Sequence, residues 1–531
     1  MNSKGIGRRL AFAGAVAVGA ALAIGELIAG LVEGVPSPLL AVARFIVDIQ
    51  PPGAKEIVVA LFGEADKIAF QVFIVLVAAL VGAGLGRLSP KRPDLAAGVM
   101  VAFTGAGFVA SLREPGVSPA LSVAAAGIET LAGIFLLRRL VALASGPAAQ
   151  ASAGVGAAAG TAARTGKTGV MPDWSRRSLL QVGGALAIGS VAAGTFGRIL
   201  LEKQRAPAVP VGGIPNPQLP ALLPSGADIA TTDLKAAGLS PIVVPNDDFY
   251  RIDTAFIAPT VDRDSWRLRV TGLVDHPIEL TYAELVALPV IEQFVTIACV
   301  SNEVGGDLVG NAKWTGVPLR TVLAMAGVQS NADQLVGKSV DGFTAGMPVE
   351  WVMDPSREPM IAVGMNDAPL PRAHGYPARL IIPGLYGYVS ATKWLTELEL
   401  TRFDTFQGFW IPRGWAAKAP ILTQSRIDVP AFNATVAAGH TPIAGVAWAP
   451  DRSIRAVEVN VDGAGWAPAK LSTPISAATW VQWLYDWDAT PGAHTIEVRA
   501  TDGNGEVQTE SRSAPAPDGA RGHHRIQVSI A

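Results

Sequence analysis

The sequence predicts a chain in three parts: an all-α membrane half, an α+β domain, and a C-terminal β-sandwich. Three observations predict it. Long apolar runs sit almost entirely before residue 202. Short β-branched runs broken by Gly, Pro and Asp begin near Pro241, and helical periodicity disappears after about Ile421. The 531 residues are 50% hydrophobic and 16% charged, a balance that suits membrane spans better than one large soluble core. A net charge of −2 gives no electrostatic basis for binding nucleic acid.

Five runs, 10–32, 68–86, 95–112, 119–137 and 179–197, are each near the roughly 20 residues that cross a bilayer at about 1.5 Å per residue. Their only charges are Glu26 and Glu129. Carboxyls at membrane depth mark proton or ligand sites, or else are hydrogen-bonded between helices. Two shorter stretches, 39–49 and 57–62, flank Pro51 and Pro52 and read as re-entrant or surface-lying elements. Basic residues set the orientation. Lys4, Arg8 and Arg9, then Arg87, Lys91 and Arg92, then Arg138 and Arg139, then Arg164, Lys167, Arg176 and Arg177 all fall on one side if the spans alternate. The expectation is a multi-pass cell-membrane protein in contact with lipid, its N-terminus cytoplasmic and its C-terminal half outside. All six histidines follow the last span, so the membrane half offers no histidine to a haem iron.

A Gly/Ala-rich linker, 146–169, precedes the fifth run. Ser175-Arg176-Arg177-Ser178-Leu179-Leu180 then resembles a twin-arginine export signal, which carries folded proteins across the membrane; it departs from the commonest pattern at Leu179 and Gln181. An internal signal of this kind suits a following domain that acquires a cofactor before crossing.

In the second half, 266–270, 294–298, 379–382 and 395–400 read as strands, and 283–288 and 319–326 as short helices. Further strands at 457–461, 480–485 and 495–500, with turns at Asp462-Gly463 and Asp502-Gly503, give a sandwich signature of roughly 100 residues. The expected domains are 1–145 (four spans), 146–202 (linker, export motif and fifth span), 203–420 (α+β) and 421–531 (sandwich).

The chain has one cysteine, which excludes an intramolecular disulfide framework and any multi-cysteine metal site. A lone cysteine is ordinarily a small buried apolar residue. Cys299, however, closes the apolar strand Thr296-Ile297-Ala298 and opens the polar turn Val300-Ser301-Asn302-Glu303-Val304-Gly305-Gly306. A strand end can present such a soft ligand to a metal in a cleft. Downstream, Pro371-Arg372-Ala373-His374-Gly375-Tyr376-Pro377-Ala378-Arg379 leads to Pro383-Gly384-Leu385-Tyr386-Gly387 and Lys393-Trp394. Basic side chains beside glycine turns can hold an anionic, phosphate-bearing ligand.

In this order the motifs resemble the sulfite oxidase family of molybdopterin oxidoreductases, over about residues 241–531. The resemblance implies a molybdenum–molybdopterin cofactor with Cys299 as the protein's ligand to the metal. It implies that His374 and Arg379, in His-Gly-x-Pro-x-Arg, hold the pterin phosphate together with Ala391, Thr392 and Lys393. It adds Asn246, Tyr250 and Arg251 as a further cofactor-contacting segment. It makes the sandwich immunoglobulin-like, of the type through which many relatives form homodimers. Sulfite-oxidising members place an arginine four residues after the cysteine, where this chain has Glu303, and a tyrosine near Phe343. Glu303 is therefore expected at the substrate mouth, favouring a neutral or cationic sulfur- or nitrogen-centred small molecule over an oxyanion. Electrons would pass to or from a separate redox partner or a quinone. The alternative from another class is a non-catalytic, membrane-tethered binding module that has lost the cofactor.

Overall fold

The computed structural model describes residues 3–50, 66–114, 117–145, 174–204, 214–218, 233–255, 258–354 and 356–531. The expected linker at 146–169 and the apolar stretch at 57–62 lie outside them. The chain divides into two compact units, Met1–Ala206 with Ala255–Ile257, and Pro207–Thr254 with Ala258–Ala531.

The first unit contains helices α1 (Ser3–Leu31), α2 (Pro38–Ile49), α3 (Asp66–Leu88), α4 (Pro93–Ser111), α5 (Pro119–Ser145) and α6 (Trp174–Gln204). All but α2 are long and apolar enough to cross a membrane. They coincide with the five expected runs and extend them by about two turns at several ends. The short α2 starts at Pro38 behind an N-cap, where Ser37 Oγ accepts a hydrogen bond from Leu40 N at 3.2 Å. Large apolar side chains point outward, among them Phe73, Leu76 and Leu80 on α3, Leu131 on α5 and Ile188 on α6. Such a surface is compatible with hydrocarbon.

Small residues let the helices meet inside. A Cβ on Gly14 would fall 1.9 Å from Gly82 O, and one on Gly86 would fall 1.8 Å from Leu10 O. Only glycine permits that crossing of α1 and α3. Glu26 is buried on α1. It accepts from Ser37 Oγ (2.6 Å) and Leu39 N (3.0 Å) and pairs with Arg198 Nη1 at 3.6 Å, so it ties α1 to the start of α2 and to α6. Glu129 is buried on α5 against Gly25 of α1.

The second unit opens with ten strands: β1 (Arg267–Gly272), β2 (Ile278–Thr281), β3 (Ile291–Ala298), β4 (Val309–Pro318), β5 (Gln334–Ser339), β6 (Thr344–Pro348), β7 (Met360–Met365), β8 (Ala368–Pro369), β9 (Arg379–Ile381) and β10 (Leu395–Thr401). One sheet runs β2-β1-β10-β5-β6, with β1 and β10 parallel; the other runs β3-β4-β7-β8, with β9 added to β7. The expected helices appear as Tyr282–Val286 and Leu319–Ala326. Thr281 and Glu284 form a capping box on the first of them. Strand β4 carries Asn311 and Lys313 and was not anticipated. Its asparagine is fully buried because its side-chain nitrogen donates to Ile242 O at 2.8 Å and its oxygen lies 3.2 Å from Thr296 Oγ1.

Nine more strands complete the unit: β11 (Gln424–Val429), β12 (Thr435–Val436), β13 (Gly439–Trp448), β14 (Ile454–Val461), β15 (Ala467–Pro468), β16 (Lys470–Leu471), β17 (Val481–Ala489), β18 (Gly492–Asp502) and β19 (His524–Ile530). They form two sheets, β11-β13-β17-β16 and β12-β19-β18-β14-β15. Ile443 and Trp483 from the first share an apolar core with Val459, Val498 and Ile526 from the second.

Asp502, at the end of β18, is wholly buried. It accepts from Arg452 Nε and Thr423 Oγ1, each at 3.0 Å, and from the backbone N of Asn504 and Glu506. Arg452 in turn donates to Ile421 O at 2.8 Å. Arg452 keeps Asp451 at 3.2 Å when Asp502 is removed, but two backbone N–H groups and the Thr423 hydroxyl lose their acceptor, so Asp502→Ala is expected to cost about 2–4 kcal/mol of unfolding free energy in chemical denaturation. Val507, exposed on the neighbouring turn, should tolerate alanine within about 0.5 kcal/mol.

Candidate active site

Strand β3 is buried along nearly its whole length, and its last pair, Ala298 with Val309, brings the chain to a turn. Cys299 comes next, its N donating to Leu308 O at 2.9 Å, and its thiol lies 3.3 Å from Ser301 Oγ. It lines a cleft within the second unit that is open to solvent.

His374, Arg379 and Lys393 line the same cleft. A single 3₁₀ turn, Arg372–His374, ends at Gly375, where φ is +111°. A Cβ there would lie 3.1 Å from Lys393 Cα and from Arg379 Cβ, so glycine is what lets the turn sit on both basic residues. Trp394 locks the arrangement by donating its indole N–H to Arg372 O at 2.8 Å.

Arg379 is 2% exposed. It donates to His374 O at 3.0 Å and lies 5.0 Å from the Trp314 ring centre, and among the described residues no carboxylate lies within 4.0 Å of it. Burial lowers its pKa to about 10, opposed by the neighbouring Tyr250. His374 directs Nε2 to Asn246 O at 3.0 Å, which places the proton of the neutral ring on that nitrogen. Burial, then Arg379 and Lys393, push its pKa down to about 4. The ring meets Phe249 edge-on. Tyr250 also lines the cleft; burial and then Cys299 raise its pKa, so its hydroxyl stays protonated.

Lys393 donates to Asp253 Oδ2 and to Ala373 O, each at 3.1 Å. Burial still carries its pKa down from 10.5 to about 8, against Asp253. The unfolded chain therefore binds more protons between about pH 8 and 10.5, and this residue's burial cost fades as pH rises through that window. An anion that needs the ammonium should behave oppositely. Binding of a pterin phosphate to cofactor-free protein is expected to weaken by up to about tenfold per unit above pH 8, with proton uptake in calorimetry. Lys393→Met should flatten that slope.

Ala391 joins these residues at the cleft, but four of the expected site residues do not. Asn246 sits behind His374, its side chain donating to Met365 O and accepting from Asn366 Nδ2. Arg251 is half-exposed and pairs with Asp253. Thr392 is buried with its hydroxyl toward Gly337 O. Glu303 lines a different cleft, with Val304, Arg512 and Pro515. Phe343 does reach the Cys299 cleft.

Sequence reasoning missed Asp253, Asp341, Tyr388 and Trp410, which also line it. Asp253 follows Tyr250-Arg251 closely enough to have been read as a counter-ion. Asp341 is 3% exposed and accepts from Phe343 N and Thr254 Oγ1. No comparable sequence signal marks Tyr388 or Trp410.

No group of three or more His, Cys, Asp or Glu among the described residues can hold a bare metal ion. A metal here has to arrive largely ligated by its own organic carrier, leaving one position for a thiolate. A single cysteine facing a buried guanidinium and ammonium fits a metal carried by an anionic, phosphate-bearing ligand.

The comparisons with known proteins agree with this chemistry. The model of the oxidoreductase molybdopterin binding domain matches residues 255–410. The oxidoreductase YuiH of Bacillus subtilis (strain 168) is 32% identical over 154 residues, which cover 29% of this chain and 74% of that protein. Human mitochondrial sulfite oxidase is 28% identical over 316 residues, 51% of this chain and 58% of that one, so the chain spans little more than half the length of that relative. Among solved structures, the sulfane dehydrogenase SoxCD of Paracoccus pantotrophus is 25% identical with a TM-score of 0.46, covering 51% of this chain and 75% of that one. The chain belongs to the sulfite oxidase family of molybdopterin-dependent oxidoreductases.

Proposed function

We infer that this chain is a membrane-anchored molybdenum-cofactor oxidoreductase acting on a small sulfur- or nitrogen-centred substrate outside the cytoplasm. The observation that carries the reading is Arg379, a buried guanidinium without a carboxylate partner among the described residues, lining the same cleft as the single cysteine. Bound in this cleft, such a cofactor would supply oxygen-atom-transfer redox chemistry.

Cys299 gives the thiolate that fixes the metal. Arg379 and Lys393 hold the phosphate, and neutral His374 offers it no charge of its own. Tyr250 keeps its proton and can donate it in a hydrogen bond to an oxygen in the cleft. Phe343, Tyr388 and Trp410 wall the cleft with aromatic surface and limit water around the reacting centre. Both buried cations serve the cofactor, while Asp253 and Asp341 are buried at the same walls. A substrate without net negative charge suits these walls better than an oxyanion.

The domain limits at 145, 202 and 420, the export motif, the outward orientation, the immunoglobulin-like sandwich, homodimerisation and an electron partner or quinone belong to the same reading. The test is metal and pterin analysis of the full chain from a cofactor-competent host, followed by kcat/KM on sulfite and on neutral sulfur and nitrogen oxides. About one molybdenum per chain is expected, with at least about tenfold preference for the neutral substrates. Protein without metal and pterin, or with sulfite preferred, would contradict the corresponding part of the reading.

A further inference from the structure

The loop from Cys299 to Leu308 is held from two directions. Within it, Asn302 N donates to Cys299 O at 3.1 Å, and Leu308 N donates to Asn302 Oδ1 at 2.9 Å. The other contacts come from the C-terminal sheets. Arg426 on β11 is buried, and its three nitrogens serve three parts of the chain. Nε donates to Asp428 Oδ1 (2.6 Å), Nη2 to Ser240 Oγ (2.8 Å) and Nη1 to the carbonyl of Gly306 (2.9 Å).

His524 opens β19 and accepts from Ile427 N at Nδ1 (2.9 Å), which leaves the proton of its neutral ring on Nε2. That edge lies against Gly305: a Cβ there would fall 2.3 Å from both Nε2 and Cδ2. Gly305 itself has φ +82°. Neither Arg426 nor His524 lines the Cys299 cleft.

A ligand on a loop is placed only as firmly as the loop's backbone, and partners outside the ligand set orient metal ligands. Here those partners grip the Gly305-Gly306 turn rather than the thiol. We propose that Arg426 and His524 are positioning residues, through which the C-terminal sheets fix where the Cys299 sulfur sits. The consequence for the metal rests on the cofactor reading above; the grip on the thiol does not.

Because Cys299 is the only cysteine, alkylation of the full chain reports on it alone. In cofactor-free protein, Arg426→Met and His524→Asn are each expected to raise the rate of reaction with iodoacetamide about tenfold or more, since each loosens a buried contact on the loop. Asparagine keeps an acceptor for Ile427 N, so His524→Asn carries the test if Arg426→Met does not fold. Arg426→Lys, which keeps the cation, should fall nearer to wild type. Val459→Ala, a loss of packing in the same C-terminal core, controls for general destabilisation and should leave the rate unchanged.

In metal-loaded protein, His524→Asn should shift the thiolate-to-metal absorption band at unchanged molybdenum content. Unchanged alkylation in the folded variants would overturn the proposal, as would an equal rise in Val459→Ala. Faster alkylation in variants of a chain that never acquires molybdenum would uphold the grip and refute the cofactor reading.

Discussion

Replacing Cys299 by alanine is expected to lower kcat/KM by more than about 100-fold, because even partners one shell beyond a metal ligand cost about 10–100-fold when removed. Cys299 is buried in a strand-end position beside Ala298 and Val300, and alanine fills that position without adding volume or charge. Folding stability should therefore change by only about 1 kcal/mol in a denaturant titration, against the large loss of activity. Equal losses of stability and activity would mean that Cys299 is a packing residue. Serine at the same position tests sulfur specifically, since a hydroxyl is a harder and weaker ligand for a soft metal site.

Arg379→Met carries the second large effect, with opposite signs in the two states of the protein. With cofactor bound, the variant loses charge-assisted hydrogen bonds of about 1.5–3 kcal/mol each, so retention of the pterin should fall by about 10–100-fold. Without cofactor, the native protein confines a cation that is 2% exposed and has no carboxylate within 4.0 Å among the described residues. Methionine removes that burden, and the cofactor-free variant should be neutral to about 2 kcal/mol more stable than the cofactor-free wild type. Thermal melts of both proteins with and without cofactor check the crossing. A variant less stable in both states would show that Arg379 is chiefly a structural donor to His374 O.

Much of the fold was legible because burial leaves a period in the sequence. The five long helices follow from apolar runs near the bilayer length, and Leu319–Ala326 from its helical spacing. Strands β4, β6 and β7 escaped for the converse reason. In β7, all of Met360–Met365 is buried, so neither face is polar and no alternation survives. In β4, Asn311 and Thr315 look like loop residues until their hydrogen-bond partners, far away in sequence, are known.

The site was legible where local geometry restricts the residue. Gly375 needs a positive φ and sits tight against Arg379 and Lys393, and Cys299 is the chain's one cysteine. Its periphery was less so. Counting four residues on from the cysteine locates Glu303 along the chain but does not say which cleft it lines. Asp341 reaches the site by long-range packing, which spacing does not encode.

The most direct test of the central claim is X-ray absorption at the molybdenum edge of the full chain beside Cys299→Ala. Molybdenum is expected in the wild type, with one fewer sulfur neighbour in the variant that still retains metal through Arg379 and Lys393. The same sulfur count in both proteins, or no molybdenum in the wild type, would contradict it.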